Sequence, residues 1–236
     1  LNIDALPTAT AGNSQSICEN ASATVNGASL SNGTPDWSHN GAGSFNGTNN
    51  SLTPTYTASA SDKGNEVILT LTVTSNNTCT GATTTATDTL QIDPLPTATV
   101  GNNVSICENG STTITGAAAN NGSILWTDNG NGTLTNETST SPTYAANSSD
   151  AGNAVILTMT VTSNNSCGNQ TAVKTTTLTI DPLPTSTAGG PQTICENASA
   201  IISGATQTNG SPRWIISSGS GSLSNANSLT PSYTAT

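Results

Sequence analysis

The sequence predicts an all-β protein, a series of antiparallel β-sandwich domains joined end to end as a rod. Three observations carry this. Apolar residues and threonines alternate in runs such as EVILTLTVT and AVILTMTVT, the two-residue period of a strand with one face buried. Marker residues recur at spacings of 88 or 89: Cys18, Cys107 and Cys195; Trp37, Trp126 and Trp214; Tyr56, Tyr144 and Tyr233. Turn signals interrupt the chain roughly every ten residues, which suits short strands and leaves no room for a helix.

The repeat divides the chain in order. Residues 1–4 match the end of a last strand, because LNID reads like LQID and LTID further on. Residues 5–93 and 94–181 are complete repeats, and 182–236 is a shortened one. Each repeat opens on a Leu-Pro pair, runs to its first cysteine, and continues into a short strand around Val25, Ile114 or Ile202. A Trp strand and a Gly-x-Gly turn follow, then PTYT, PTYA or PSYT, then an Asp-x-Gly corner at Asp62 and Asp150. In the long alternating strand Val67, Leu69, Leu71 and Val73 share one face, while Ile68, Thr70, Thr72 and Thr74 share the other. A last strand ends at Leu90-x-Ile92 or Leu178-x-Ile180, making about seven antiparallel strands per repeat. A period this long suits domains that fold by themselves rather than solenoid coils. QIDPLPT and TIDPLPT leave almost no spacer between repeats, and their prolines predict stiff joins. Strands rising about 3.3 Å per residue give repeats about 35 Å long and a rod of about 100 Å. The closing SLTPSYTAT stops where earlier copies run into their longest strand, so both ends are expected to be cut from something longer.

Composition narrows the function. Only 7% of residues are charged and 32% are hydrophobic, with Ser, Thr, Asn and Gly filling the difference. Thirteen acids against three bases give a net charge of −10, which argues against nucleic acid or anionic membranes as partners. No apolar run reaches the length of a membrane span, so no direct membrane insertion is expected in this segment. Catalysis is not expected, because no acid, base and nucleophile recur together.

The Trp strand, LTPTYTA, the Asp-x-Gly corner and VILTLTVTSNN followed by cysteine resemble the Ig-like or PKD-like repeats of very large Bacteroidota surface proteins. The resemblance covers the whole chain. WSHNGAGSF, WTDNGNGTL and WIISSGSGSL depart from it, lacking the W-D-F-G-D-G signature of PKD domains. It implies an Ig-like sandwich on a secreted or surface-bound bacterial stalk with adhesive or structural duty. It also implies O-linked sugars at Asp-Ser/Thr-aliphatic sites, of which Thr89 in DTL is the match.

Each complete repeat holds two cysteines, Cys18 with Cys79 and Cys107 with Cys167, 61 and 60 residues apart. Pairing within each repeat is expected, closing loops that contribute about 4 kcal/mol apiece in the chain-entropy model. Pairing across neighbouring repeats stays open, since the strand count does not clearly bring both cysteines to one pole. Cys195 is expected to find its partner outside the chain. Metal binding is not expected, for want of a CxxC or a nearby histidine. Calcium is disfavoured too, because Asp4, Asp93, Asp181, Asp62, Asp150, Glu19, Glu108 and Glu196 show no clustered ligand spacing. No other cofactor is expected.

His39, the single histidine, is read as a surface residue, because Asp36, Ser38 and His39 lie on one strand and cannot converge as a triad. NGAGS, NGNGT and SGSGS echo phosphate loops but lack a following helix, and are read as hairpin turns. The Trp and Tyr markers are read as core. Asn-x-Ser/Thr triplets fall in register at Asn20, Asn109 and Asn197, at Asn32, Asn121 and Asn209, and at Asn76 and Asn164. These asparagines are glycosylation candidates; duplication within a Ser/Thr-rich chain is the competing explanation.

The expected function is a structural and adhesive repeat segment of an extracellular stalk or filament at a bacterial cell surface, disulfide-stapled and glycosylated. Its partners would be neighbouring repeats or copies of itself in a filament, with host or environmental surface glycans as targets. The alternative is an array of ligand-binding modules for carbohydrate or ice. Regular Thr ladders are not evident in the sequence, which counts against ice.

Overall fold

The long strands fix everything else. A computed structural model describes all 236 residues. In the first complete repeat the strands are β1 (Thr8–Thr10), β2 (Gln15–Cys18), β3 (Ser22–Thr24), β4 (Ser29–Ser31), β5 (Gly33–His39), β6 (Ser44–Asn46), β7 (Thr55–Thr57), β8 (Glu66–Ser75) and β9 (Thr83–Asp93). One sheet has the order β2-β9-β8-β5; facing it lie β3-β7-β6 and the pair β1-β4. The set recurs as β10 (Thr97–Thr99), β11 (Val104–Cys107), β12 (Ser111–Thr113), β13 (Ala118–Asn120), β14 (Gly122–Asp128), β15 (Thr133–Thr135), β16 (Thr143–Ala145), β17 (Ala154–Ser163) and β18 (Thr171–Asp181), with matching strand orders.

Each complete repeat thus has nine strands, not about seven, and one pair is parallel. The opening segment breaks at Gly12, whose φ of 111° turns the chain. Before the break β1 pairs with β4; after it β2 lies alongside β9 and runs in the same direction, Cys18 opposite Asp93.

The core follows the alternation. Trp37, Tyr56, Val67, Leu69, Leu71, Val73, Leu90 and Ile92 are at most 2% exposed. The second repeat buries Trp126, Tyr144, Val155, Leu157, Met159, Val161, Leu178 and Ile180 in the same way. Burial contributes roughly 1.5–3 kcal/mol for each large side chain, the main favourable term in so lean a core. Each indole N–H donates to a backbone carbonyl, Trp37 to Ser51 (3.0 Å) and Trp126 to Ser139 (3.0 Å), so no polar atom of the ring is stranded.

Residues beyond 181 form β19 (Thr185–Thr187), β20 (Ser199–Ile201), β21 (Thr206–Thr208), β22 (Ser222–Ser224) and β23 (Ser232–Thr234). They include no counterparts of β5, β8 or β9, so Trp214 and Tyr233 are half-buried where their counterparts are enclosed. No helix is long and apolar enough to cross a membrane; the helical elements are single 3-10 turns at Ala60–Asp62 and Ser148–Asp150.

Candidate functional site at the joint between repeats

Chemistry-bearing residues gather where one repeat meets the next. β9 ends at Asp93 and the chain turns through Pro94-Leu95-Pro96 into β10. Cys18, at the end of β2, stands opposite Asp93, and the following Glu19 amide donates to the Asp93 carbonyl (2.8 Å). From the second repeat the turn between β17 and β18 reaches back over this strand end. Asn165 organises that turn, its Oδ1 accepting from Ser163 Oγ (2.7 Å) and the Cys167 amide (2.9 Å). Its Nδ2 donates to the Pro94 carbonyl (3.0 Å), while the Ser166 amide donates to the Asp93 carboxylate (3.0 Å). Asn121 Nδ2 donates to the Leu95 carbonyl (3.0 Å) from another side.

Cys167 is thereby delivered to Cys18, and the two form a disulfide with Cα atoms 4.5 Å apart across a sequence separation of 149. This corrects the expected pairing of Cys18 with Cys79 and of Cys107 with Cys167. The reason lies in the parallel pair: β2 follows β9, so Cys18 sits at the far end of β9, whereas Cys79 sits in the turn that begins it. Eleven residues of strand, about 35 Å, separate the two poles. Cys79, Cys107 and Cys195 carry no bond.

The corner of each sandwich is a second polar cluster. Tyr56 Oη donates to Asp62 Oδ2 (2.8 Å) and accepts from the Gly43 amide (2.8 Å); Tyr144, Asp150 and Gly132 repeat this at 2.8 and 2.9 Å. Asp62 also caps the 3-10 turn by accepting from Ser59, and it receives the Ala42 amide. Burial pushes the Asp62 carboxyl up, but these amides and the tyrosine hydroxyl together hold it below the ordinary value; Asp150 behaves likewise. Burial, with the neighbouring aspartate, pushes both tyrosines up to about 12. The Gly-x-Gly turns owe their glycines to this corner, since a Cβ at Gly43 or Gly132 would collide with a backbone carbonyl and the tyrosine ring.

The remaining expected residues fall elsewhere. His39 is not a plain surface residue: it is half-buried, edge-on to Phe45 and Tyr56 at centroid distances of 5.1 and 4.9 Å. Asp36 and Ser38 are exposed. Asn20, Asn109 and Asn197, and Asn32, Asn121 and Asn209, all have left-handed φ values between 55° and 64°, a conformation asparagine tolerates better than most residues. Asn32 and Asn209 also donate to the carbonyls of Leu6 (3.1 Å) and Leu183 (3.4 Å). Turn geometry therefore accounts for the register of these six. Asn76 and Asn164 are exposed beside the cysteine turn, and Thr89 is half-buried on β9.

The sequence places Thr70, Thr72 and Thr74 on one strand face but does not show the hydroxyl rows they join, because those rows run across strands. Thr34, Thr74 and Thr83 stand in one row, Ser38, Thr70 and Thr87 in another, with Asp36, Thr72 and Thr85 between them. The second repeat places Ser123, Thr162 and Thr171, then Leu125, Thr160 and Val173, then Thr127, Thr158 and Thr175.

No protein-family model matches the chain, and no curated protein is similar to it by sequence. Among solved structures it is similar to the I67–I69 fragment of the I-band of titin, with a TM-score of 0.54 and 14% identity over 99% of this chain and 89% of that one. A glutamate-to-alanine variant of the same three domains gives a TM-score of 0.53 and 13% identity, with the same coverage. The fold is that of tandem Ig-like domains. At such identity the likeness concerns fold alone.

Proposed function

We propose that this chain is a structural, load-bearing segment of an extracellular stalk or filament, in which each Ig-like repeat is locked to the next. The Cys18–Cys167 bond across the joint carries the reading. A tether applied at the two ends of the chain passes from Cys18 directly to Cys167, so the folded loop between them is spared the load. Disulfides of this kind persist in oxidising compartments, which supports a location outside the cell. The resemblance of the repeats supports a bacterial surface, with neighbouring repeats or copies of the chain as lateral partners and surface glycans as adhesive targets. Stretching single chains with and without reductant tests the mechanical part. Sugars on the exposed asparagines, or on Thr89, would raise the intact mass of native material above 23.4 kDa; an unmodified mass removes glycosylation from the proposal.

The threonine face favours a second reading, a ligand-binding array for carbohydrate or ice. Rows of hydroxyls on a sheet repeat at about 4.8 Å across strands and about 7 Å along them. Ice shaping or glycan binding that Thr72→Lys and Thr160→Lys abolish would establish this reading over the first.

A further inference from the structure

Each half of the joint that holds Cys18 to Cys167 is built again, position for position, around a cysteine that carries no bond. At the start of the chain, Asn77 Oδ1 accepts from Ser75 Oγ (2.8 Å) and the Cys79 amide (2.9 Å), as Asn165 does for Cys167. Asn77 Nδ2 donates to the Ala5 carbonyl (2.8 Å), the place of Pro94. The Thr78 amide donates to the Asp4 carboxylate (3.2 Å), the place of Asp93, and the Thr78 hydroxyl joins it. Cys79 Sγ then rests 3.6 Å from the Asp4 carbonyl, the same distance as Cys167 Sγ from that of Asp93. The other half is repeated at the second joint. Cys107 stands opposite Asp181 on parallel strands as Cys18 stands opposite Asp93, and the Glu108 amide donates to the Asp181 carbonyl (2.8 Å) as Glu19 does.

We propose that Cys79 and Cys107 are the backward and forward halves of this same interlock, each a covalent attachment point for the complementary cysteine of an adjoining repeat of this kind. Each repeat then gives one cysteine forward and one back. A run of repeats becomes cross-linked at every joint, and a cut in one polypeptide segment does not part the rod. Cys195 occupies the corresponding position in the sequence of its own repeat.

Bond formation balances as two successive thiol–disulfide exchanges. The thiolate of one cysteine attacks a disulfide oxidant, releasing one thiol; its partner's thiolate then attacks the mixed disulfide and releases the second. The two cysteines lose two electrons and two protons, and the oxidant is reduced to two thiols.

The proposal deepens the load-bearing reading and rests on it only for its purpose; force curves test that reading, whereas a cysteine map tests this one. Two lengthened chains are used, each folded in oxidised and reduced glutathione. One continues after Thr236 with a second copy of residues 148–181, because Thr236 stands where Asn147 does. The other carries residues 97–177 before Leu1, so that Leu1–Asp4 complete a repeat as Leu178–Asp181 do. Non-reducing peptide mapping should join Cys107 to the added counterpart of Cys167 in the first, and Cys79 to the added counterpart of Cys107 in the second. Alkylation of Cys107 or Cys79 should fall about tenfold or more, as the high effective concentration at a preformed joint implies. Mixing copies of different isotopic mass separates the sources. Links within one mass assign the partner to a flanking repeat of the same chain, and mixed-mass links assign it to a second copy. Should Cys18–Cys167 form in both proteins while Cys79 and Cys107 stay free, or pair with any other cysteine, the proposal fails.

Discussion

Pulling the chain by its ends puts the Cys18–Cys167 bond to a quantitative test. The bond encloses a sequence separation of 149 residues. At about 3.4 Å per extended residue, it withholds about 500 Å of contour length from the tether. In force spectroscopy the oxidised protein should extend only through the segments outside the loop. Adding dithiothreitol, or replacing Cys18 and Cys167 by serine, should lengthen the final contour by about 500 Å, the hidden repeats now unfolding under load. Bonds within repeats would give another result, about 200 Å withheld in each of two independent events. Either that pattern or a contour indifferent to reductant would refute the connectivity and, with it, the load-sparing argument. The same bond also constrains the unfolded chain. For a loop of this size the chain-entropy model gives about 5 kcal/mol, so reduction should lower the denaturant midpoint markedly.

Other expectations concern the corners and the joint. Tyr56→Phe and Tyr144→Phe leave a buried carboxylate and a glycine amide short of a partner, and each should cost about 1–3 kcal/mol in urea titrations. Gly43→Ala and Gly132→Ala should cost at least as much, because the added methyl meets a backbone carbonyl and the tyrosine ring. Folded-state values of Asp62 and Asp150 lie below the unfolded ones, so their stabilisation is present above the unfolded value and is lost as pH falls through the folded one. Asp62→Asn with Asp150→Asn should flatten the acid limb of stability against pH. Raised tyrosine values have the opposite sense: their contribution is complete below the ordinary value near 10 and disappears as pH climbs towards about 12. Asn165→Ala should slow formation of the Cys18–Cys167 bond in timed alkylation, since the residue holds the turn that presents Cys167.

Legibility in the sequence followed the range of the interactions. Alternation from Val67 to Val73 marks a buried strand face because neighbouring side chains must point to opposite sides, and Val67, Leu69, Leu71 and Val73 are buried as read. The period of Trp37, Trp126 and Trp214 announced repeated cores, and Trp37 and Trp126 fill them. Asp62 and Asp150 were legible as corner residues, but their bond to a tyrosine six residues earlier was not, nor was the dependence of the Gly-x-Gly turn on that ring. Six of the asparagines that stood out as sugar sites sit in turns at positive φ, a conformation asparagine tolerates.

Strand period and repeat length are local or periodic properties, and both can be read along the chain. The pairing of Cys18 with Cys167 emerged only from the way the strands pair in space. β2 runs parallel to β9 after the break at Gly12, which carries Cys18 to the far pole of its own sandwich and out of reach of Cys79. The turn ordered by Asn165 then brings Cys167 from the next repeat to meet it. Spacing along the chain holds no record of that choice, because which ends of two strands coincide depends on the direction in which they pair.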